Sequence, residues 1–388
     1  MTAINIGLLW QSAAAGNLGV GALTIGNIAL IRRATDRLGL APHFTIFGAR
    51  ETGVPYVKGP DISHRSIDGR YMVSPSGYLA DVRRQHILLD IGAGDSFTDI
   101  YTNKRYAYIV STKLIPLMLG IPLILSPQTI GPFSRQPHTA IAGLICNRAT
   151  HVFTRDPIST DLVRAIAPRA RSSQAIDVAF ALPFTRRQFA GQKVRVGLSV
   201  SGLLLSGGYN SDNDFGLGFD FAHLTRGLIS YFLALPDTEV HLIAHVYAPD
   251  TPRDDDALAI DALHAEFPDT VRAPDFASPS DAKSYISGLD FLVGARMHAT
   301  IAAFSSGVPV VPISYSNKFE GLYGGLNYPY LVNAKGMNSE QAHAMIIESF
   351  HNRDKLKAAI KAAQPIIDAA LGSYVEALAQ QFTAALTK

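Results

Sequence analysis

The sequence contains a single cysteine and no cluster of basic residues. Cys146 has no partner for a disulfide within the chain, and the apolar stretch before it indicates a buried thiol. The formal net charge is only +2 for 388 residues, without a basic tail or a run of lysine and arginine. Proteins that bind nucleic acids usually carry such a basic surface. We therefore expect neither a disulfide framework nor a nucleic-acid partner.

No run of apolar residues is long enough to cross a membrane. The segment Leu114–Leu125 is apolar, but Pro116, Gly120 and Pro122 interrupt it, and a spanning helix needs ~20 apolar residues. The first residues show no basic region before their short apolar run, so we expect a strand there rather than a signal peptide. We expect a cytoplasmic protein, and contact with the inner face of the cytoplasmic membrane stays open.

The length of the chain and its apolar pattern predict two α/β domains. A chain of 388 residues is too long for one ordinary core. Short apolar runs alternate with longer amphipathic stretches, as in βα units on a parallel sheet. In the first half, the predicted strands are Ile4–Trp10, His43–Phe47, Gln85–Ile91, Pro122–Ser126 and His151–Thr154. We predict that Ser159 caps the helix after the last strand and that Ser63–Ala80 form a mobile loop.

A second series of strands and helices begins after Phe184–Lys193, a polar segment without clear periodicity. Its predicted strands are Val194–Ser201, Glu239–Val246, Phe291–Ala295 and Val308–Ile313. We therefore predict an α/β fold with two Rossmann-like domains, residues 1–184 and 193–388, that face each other across a cleft. This is the GT-B architecture, in which the last helix often crosses back to the first domain.

The segment Asp290–Ser316 carries the strongest candidate site. A buried strand delivers Arg296 and His298 to the start of a helix, where free N–H groups and the helix dipole favour anions. The planar fork of arginine matches a carboxylate or a phosphate, and histidine titrates near neutral pH. The alternative is structural, with Arg296 paired to an acidic neighbour and His298 capping the helix.

The same segment resembles the most recognisable block of the polysaccharide pyruvyl transferases. That block has a strand, Arg-x-His, a helix of small residues, Gly-Val-Pro, an apolar strand, then a tyrosine and a nearby lysine. In this chain these residues are Arg296, His298, Gly307-Val308-Pro309, Tyr315 and Lys318. Four further segments resemble motifs of the family in the same order: Gly92-Ala93-Gly94-Asp95-Ser96, Ser126-Pro127-Gln128-Thr129-Ile130-Gly131-Pro132, Arg155-Asp156 with Ser159, and Asp177-Val178-Ala179-Phe180.

The resemblance implies a donor site and an acceptor site. His298 would be the catalytic acid, and the donor would be held by Arg296, Arg155 and Lys318, with the two arginines on opposite domains. The N-terminal domain would lie on the acceptor side, and the candidate acceptor or cleft residues are Asp95, Ser96, Gln128, His245 and Tyr315. Without the resemblance, Arg155 is as well explained by a local ion pair with Asp156 or Asp161.

We predict no metal site. His241 and His245 lie on the same face of a predicted strand, but a third ligand is not evident. The run Asp254-Asp255-Asp256 indicates the acidic start of a helix. The segment Gly202–Gly218 is long, rich in glycine and polar at its centre, as functional loops often are. Its polar residues offer hydrogen bonds to an acceptor sugar; they are Tyr209, Asn210, Asn213 and Asp214.

The reaction implied by the resemblance is transfer of a pyruvyl group from phosphoenolpyruvate to two hydroxyls of one sugar residue. A cyclic ketal and phosphate would be the products, phosphoenolpyruvate would be the donor substrate, and no cofactor would be needed. The acceptor would be a lipid-linked oligosaccharide or a finished polymer. The alternative is a GT-B glycosyltransferase with a nucleotide-sugar donor, whose diphosphate Arg296 and His298 would hold. A two-lobed ligand-binding protein is a third interpretation, but such proteins are usually exported.

Overall fold

The computed structural model describes residues 2–208, 210 and 212–387, and the chain forms two compact units. Unit 1 consists of Met1–Ala15, Leu23–Ala181 and Ile367–Lys388, and unit 2 consists of Gly16–Ala22 and Leu182–Ile366. These ranges differ from the predicted domains 1–184 and 193–388, because each unit includes one short segment that comes from the other half of the chain. Residues 16–22 are part of unit 2, and residues 367–388 are part of unit 1.

Unit 1 is built on a seven-stranded parallel sheet with the strand order β3-β2-β1-β4-β5-β6-β7. The strands are β1 (Thr2–Leu9), β2 (Leu40–Gly48), β3 (Ile62–Ser66), β4 (Ile87–Asp90), β5 (Leu123–Gln128), β6 (His151–Thr154) and β7 (Ser172–Gln174). The helices in this half of the chain are α1 (Leu18–Arg37), α2 (Gly69–Val73), α3 (Tyr78–Val82), α4 (Asn103–Met118), α5 (Gln136–Arg148) and α6 (Pro157–Ile166), with 3-10 turns at Gly92–Gly94 and Val178–Ala181.

Unit 2 is built on a six-stranded parallel sheet with the strand order β10-β9-β8-β11-β12-β13. The strands are β8 (Val194–Ser199), β9 (Thr238–Ile243), β10 (Val271–Arg272), β11 (Phe291–Gly294), β12 (Val310–Ser314) and β13 (Val332–Asn333). The helices in this half of the chain are α7 (Gly202–Leu205), α8 (Phe221–Leu233), α9 (Asp256–Glu266), α10 (Pro279–Ile286), α11 (Met297–Ser305), α12 (Asn317–Gly325), α13 (Ser339–His351) and α14 (Arg353–Leu386), with a 3-10 turn at Pro252–Asp254.

Two neighbouring strands near the centre of each sheet are buried along their whole length. Every residue of β4 and β5 in unit 1, and of β11 and β12 in unit 2, is buried. Parallel strands covered on both faces have such continuous apolar sequences. This pattern explains why the sequence predicts these strands within a few residues of their observed ends. No helix among the described residues is long and apolar enough to cross a membrane.

Two predictions of local structure are wrong. Residues 63–80 do not form one loop, since β3, α2 and part of α3 lie there. Tyr78 orders this region because its ring is fully buried and its hydroxyl donates to the carbonyl of Thr112, 2.5 Å away. Ser159 is not the cap of α6 either. Asp156 caps that helix by accepting from the backbone N–H of Ser159.

The order of strands places one switch point in each sheet. The chain leaves β1 toward β2 on one side and returns to β4 on the other side, and in unit 2 β8 lies between β9 and β11 in the same way. Ligands of parallel α/β folds bind at the carboxyl ends of strands beside such switch points. The segments after β1 and β4, and those after β8 and β11, are therefore the places to examine for sites.

Candidate active site

Arg296 lies in unit 2 at the junction between β11 and α11, as the sequence predicts. Its guanidinium is held by two carboxylates rather than left open. Nη2 lies 2.6 Å from Oδ1 of Asp256 and 2.7 Å from Oδ1 of Asp254, and Nε contacts both carboxylate oxygens of Asp256. Nη1 takes part in no hydrogen bond with the described residues. The two carboxylates thus hold the guanidinium through Nε and Nη2, and Nη1 lies outside these contacts.

Asp256 is the centre of this cluster. It is fully buried, and its carboxylate accepts the backbone N–H groups of Gly202, His245 and Val246 at 2.9–3.1 Å. These groups follow β8 and β9, so one carboxylate joins the ends of these two strands to Arg296, which follows β11. Sequence reasoning saw only the acidic start of a helix here, and Asp255 does cap α9. Asp256 contacts Arg296, which lies 40 positions away in sequence, and no local sequence pattern indicates this contact.

Arg296 stays charged in this environment. Burial opposes the charged form, but the carboxylates of Asp256 and Asp254 outweigh it and hold the pKa of Arg296 above its usual range. The two carboxylates differ in access to solvent. The side chain of Asp256 is 0% exposed, whereas that of Asp254 is 27% exposed. Asp254 is therefore the partner that a competing anion can replace at lower cost.

Two histidines lie beside Arg296 in unit 2. His245 follows β9 and is buried, and His298 occupies the first turn of α11. Burial, together with the nearby His298 and Arg296, lowers the pKa of His245 to about 3. His245 is therefore neutral at pH 7 and does not act as an acid there. Of the two histidines, His298 therefore stays the candidate for proton transfer.

The segment Gly16–Ala22 packs against both histidines. The N–H of Leu18 donates to the carbonyl of His245 at 3.1 Å, and the N–H of Tyr247 donates to the carbonyl of Gly16 at 3.0 Å. A Cβ added at Gly19 would overlap the ring of His298 at Nδ1. Only glycine fits at this position without displacing the ring. The segment Gly16–Ala22, which contains three glycines, thus forms part of the surroundings of His298.

Tyr315 and Lys318 lie at the carboxyl end of β12 and the start of α12. Both are half-buried, and the ring of Tyr315 packs edge-on against Phe215 at 5.2 Å between centroids. Phe215 belongs to the predicted loop Gly202–Gly218, whose first residues form α7. This loop and the start of α8 line a pocket of about 570 Å³. Tyr209, one of the predicted acceptor residues of the loop, lies outside the described residues.

In unit 1, Gln128 faces the interior behind the predicted glycine-rich turn. It is fully buried, and its Nε2 donates to the carbonyl of Asp90 at 2.8 Å. The carboxylate of Asp90 also forms a buried ion pair with Lys113 at 2.8 Å. Gln128 lies so close to Gly92 that a Cβ there would overlap its Oε1. Gln128 therefore supports the turn from behind, together with a lysine that sequence reasoning missed.

Asp95 and Ser96 complete this turn. Ser96 is buried and its Oγ accepts from Nη2 of Arg105 at 2.5 Å, whereas Asp95 is half-buried. Ala93, which stands where the family's turn has glycine, adopts φ 49°. That backbone conformation costs an L-residue about 1 kcal/mol. Among the predicted acceptor residues of the turn, Asp95 is the one with an accessible side chain.

Arg155 follows β6 in unit 1 and is almost completely buried. Its Nη1 pairs with Oδ2 of Asp177 at 2.7 Å, and its Nε donates to Oγ1 of Thr129 at 3.0 Å. The acidic partner is thus Asp177, and neither Asp156 nor Asp161, the partners that sequence reasoning considered. Asp156 instead caps α6. The use of Arg155 in donor binding stays a prediction.

The predicted residues therefore form two groups. Arg296, His245 and His298 meet in unit 2, and Gln128 and Arg155 surround the glycine-rich turn of unit 1. Within the described residues, no group of three or more His, Cys, Asp or Glu side chains is arranged to hold a metal ion.

The fold is of the GT-B type, as solved structures with similar folds show. A Listeria monocytogenes protein described as a UDP-N-acetylglucosamine 2-epimerase shares 13% identity, with a TM-score of 0.65 over 99% of this chain and 98% of that one. Anabaena HepE in complex with UDP-glucose shares 13% identity, with a TM-score of 0.55 over 99% of both chains. The UDP-GlcNAc 2-epimerase of Neisseria meningitidis, bound to UDP-GlcNAc, shares 9% identity, with a TM-score of 0.57 over 97% of this chain and 100% of that one.

Sequence identifies the family within this fold. The profile of the polysaccharide pyruvyl transferases matches residues 43–317, a range that contains both groups of predicted residues. The chain belongs to the polysaccharide pyruvyl transferase family. A search of the curated proteins found no match.

Proposed function

We propose that this transferase moves a pyruvyl group from phosphoenolpyruvate to two hydroxyls of one sugar residue. The first hydroxyl oxygen adds to C2 of the enol and loses its proton while a proton reaches the methylene carbon, and phosphate then leaves as its bond to C2 breaks. The second hydroxyl oxygen then adds to C2 and loses its proton, which gives the cyclic ketal. The observation that carries this proposal is the family match over residues 43–317, which includes Arg296 and His298.

His298 is the general acid of this proposal. Protonation of the methylene carbon requires a group that exchanges protons near pH 7, and His245 is held neutral by burial. His298 lies in the first turn of α11, where backbone N–H groups face an incoming anion. The negative charge of a bound donor favours the imidazolium form of His298, so binding of the donor prepares the acid.

Arg296 holds the phosphate or carboxylate of the donor. Its Nη1 has no hydrogen bond with the described residues, and its partly exposed partner Asp254 can give way to a donor oxygen. Asp256 stays in place because it is buried and bound by three backbone N–H groups. Lys318, in the first turn of α12, and Arg155 are the further donor-binding cations of this proposal.

The acceptor of the proposal is a sugar of a polysaccharide or of its lipid-linked precursor. Asp95 and Tyr315 are the accessible acceptor residues, and Ser96 and Gln128 act by shaping the turn. A lipid-linked acceptor would bring the enzyme to the inner face of the cytoplasmic membrane. No cofactor takes part, because the enol ester of phosphoenolpyruvate is itself activated.

The test compares two classes of donor. The enzyme is incubated with capsular or cell-wall oligosaccharides and either phosphoenolpyruvate or UDP-glucose and UDP-GlcNAc. We expect acceptor-dependent release of phosphate from phosphoenolpyruvate, and a product whose mass increases by that of a pyruvate ketal. The nucleotide sugars are included because HepE and the Neisseria epimerase are described with such ligands. Release of UDP together with glycosylated product, and no ketal, would establish the glycosyltransferase alternative instead.

A further inference from the structure

A surface at the carboxyl edge of the sheet in unit 1 combines exposed apolar side chains with exposed cations, and none of the steps above uses it. It consists of residues 98–105, which follow the glycine-rich turn after β4 and enter α4, and residues 131–138, which follow β5 and enter α5. Since β4 and β5 are neighbouring parallel strands, both segments lie at the same edge of the sheet as that turn. We call these two segments the cationic surface.

Asp99 joins the two segments of the cationic surface. Its carboxylate accepts from the backbone N–H groups of Ser134 at 2.8 Å and of Arg135 at 3.3 Å, and it pairs with Nδ1 of His138 at 2.9 Å. Nη1 of Arg135 in turn donates to the side chain of Asn103 at 3.0 Å. The side chain of Asp99 is only 1% exposed, so its negative charge is enclosed by these contacts. The two segments therefore form one connected surface.

The exposed charges of the cationic surface are positive. Asp99 is the only acidic residue of the two segments, and three of their basic residues are exposed, namely Lys104, Arg105 and Arg135. The guanidinium of Arg105 lies over the ring of Tyr101, 4.3 Å from its centroid. A cluster of cations without an exposed acidic neighbour attracts anionic groups.

Two apolar side chains accompany these cations. Ile100 is 62% exposed and Tyr101 is 40% exposed. Their backbone is held from one side, because Oγ1 of Thr98 accepts from the N–H of Ile100 and donates to the carbonyl of Pro132 at 2.6 Å. Tyrosine is enriched where proteins meet lipid headgroups. Apolar side chains flanked by lysine and arginine are typical of surfaces that lie on anionic bilayers.

The cationic surface is continuous with the turn that we propose for acceptor binding. Arg105, which covers the ring of Tyr101, also donates to Oγ of Ser96. Ser96 directly follows Asp95, the accessible residue of that turn. A bilayer that meets the cationic surface would therefore lie beside the turn.

We propose that the cationic surface binds membranes that contain anionic lipids, with Lys104 and Arg135 at the lipid phosphates and Ile100 in the apolar layer beneath them. What this binding achieves rests on the proposed function, since a bilayer at this place brings a lipid-linked sugar to Asp95. A second copy of the chain is a poorer occupant. The same patch on two copies would face itself in a symmetric dimer, and its cations would repel each other.

The test uses three matched variants. The surface variant carries Ile100→Ser, Lys104→Gln and Arg135→Gln. The conservative variant carries Ile100→Leu, Lys104→Arg and Arg135→Lys, which keep the charge and the apolar side chain. The control variant carries Met118→Ser, Arg83→Gln and Arg148→Gln, which remove one exposed apolar side chain and two exposed cations, as the surface variant does. These control residues precede β5, β4 and β6, respectively, so they lie at the opposite edge of the sheet.

Co-sedimentation with vesicles measures binding without turnover. The full-length protein is mixed with vesicles of phosphatidylcholine, alone or with about 30% phosphatidylglycerol, at about 0.1 M and about 0.5 M salt. We expect the wild type to bind only the vesicles that contain phosphatidylglycerol, and more weakly at high salt. Each cation near an anionic bilayer contributes about a fivefold factor in affinity. The surface variant should therefore bind about tenfold more weakly or worse, whereas the conservative and control variants should bind as the wild type does.

Each other outcome overturns the proposal. Equal binding by the wild type and the surface variant would show that these residues do not meet the bilayer. Equal losses in the surface and control variants would mean that only net charge matters, and a loss in the conservative variant would indicate damage to the fold. If the wild type does not bind the vesicles but forms a dimer that the surface variant lacks, as measured by analytical ultracentrifugation, the surface belongs to a second copy.

The outcome for the membrane is separate from the outcome for the reaction, because vesicle binding requires neither donor nor acceptor. If the cationic surface is needed for vesicle binding but phosphoenolpyruvate never releases phosphate, the surface stands and the proposed reaction fails. If the ketal forms but the wild type does not bind the vesicles, the reaction stands and the membrane surface fails.

Discussion

Arg155 in unit 1 and Arg296 in unit 2 each follow a strand, come just before a helix and pair with a fully buried aspartate. The rest of their surroundings differs. The side chain of Arg155 is 5% exposed and has one carboxylate partner, Asp177. The side chain of Arg296 is 12% exposed and has a second, partly exposed partner in Asp254. The same local sequence pattern can thus place a cation with one buried carboxylate partner or a cation that also has a replaceable partner.

The residues after the two arginines differ as well. In unit 1 the sequence continues Asp156-Pro157, with the aspartate capping α6 and the proline at its first position. In unit 2 it continues Met297-His298, and Arg296 itself occupies the cap position without capping α11 through its side chain. The start of α6 is capped by a side chain, whereas the start of α11 is where we propose that the donor binds. We therefore expect substitutions in the two regions to affect different quantities.

The largest effect is expected at His298. His298→Gln keeps hydrogen bonding but removes proton transfer, so we expect kcat to fall by ~10²–10⁴ with an unchanged melting temperature. Phosphoenolpyruvate should bind within several-fold of its wild-type affinity, as measured by calorimetry. The control is His223→Gln, an exposed histidine of α8, which should keep full activity. Near-normal turnover of His298→Gln would remove His298 from the mechanism.

The buried ion pair of Arg155 and Asp177 in unit 1 should contribute to the stability of the fold. Asp177→Ala leaves the guanidinium of Arg155 buried without its carboxylate, which we expect to lower the free energy of unfolding by about 3–5 kcal/mol. Urea denaturation measures this loss. The double variant Arg155→Met with Asp177→Leu should recover most of it, because apolar residues of similar size replace a buried pair at little cost. A loss below about 1 kcal/mol in Asp177→Ala would mean that the guanidinium of Arg155 is not buried as the structure shows.

His245 should make stability depend on pH. Its pKa in the folded state is about 3, below the ordinary value near 6.5, so only the unfolded chain takes up a proton between these values. Stability is therefore complete above pH 6.5 and decreases as the pH falls. By pH 5 this group should cost about 2 kcal/mol. Urea denaturation at pH 7 and pH 5 measures the stability that each protein loses between these values. The loss in His245→Gln should be smaller than the loss in the wild type by about 2 kcal/mol. Equal losses in the two proteins would contradict a buried neutral histidine.

The smallest effect is expected at Asp254. If this carboxylate competes with the donor for Arg296, Asp254→Asn should lower the KM for phosphoenolpyruvate about two- to fivefold, which corresponds to the weak contribution of a partly exposed ion pair. The stability of the variant should change little. An increase in KM would mean that Asp254 helps to hold the donor, and the difference between the two arginines would then need another explanation.

The sequence predicts much of the fold because buried parallel strands have a strong local signal. β6 has its predicted bounds, and the ends of β4 and β11 shift by only one or two residues. Residues 63–80 were misjudged because glycine, proline and serine obscure short elements that Tyr78 orders from a distance. The position of Arg296 and His298 between a strand and a helix was predictable because these elements are adjacent in sequence.

The rest of the site depends on contacts between distant positions. Asp254 and Asp256 lie within a run of three aspartates, and only the structure shows that these two bind Arg296 while Asp255 caps α9. Gly19 has no local signal of its role, because its contact with His298 joins residues 279 positions apart in sequence.

The contact between Gly19 and His298 limits how members of this family can be recombined. A chimera joined at residues 181 and 182 would take residue 19 from one parent and His298 from the other. A parent with any side chain at position 19 would push the ring of His298 away from its place. Position 19 and position 298 must therefore be inherited together, so that residues 16–22 need to come from the same parent as the rest of unit 2.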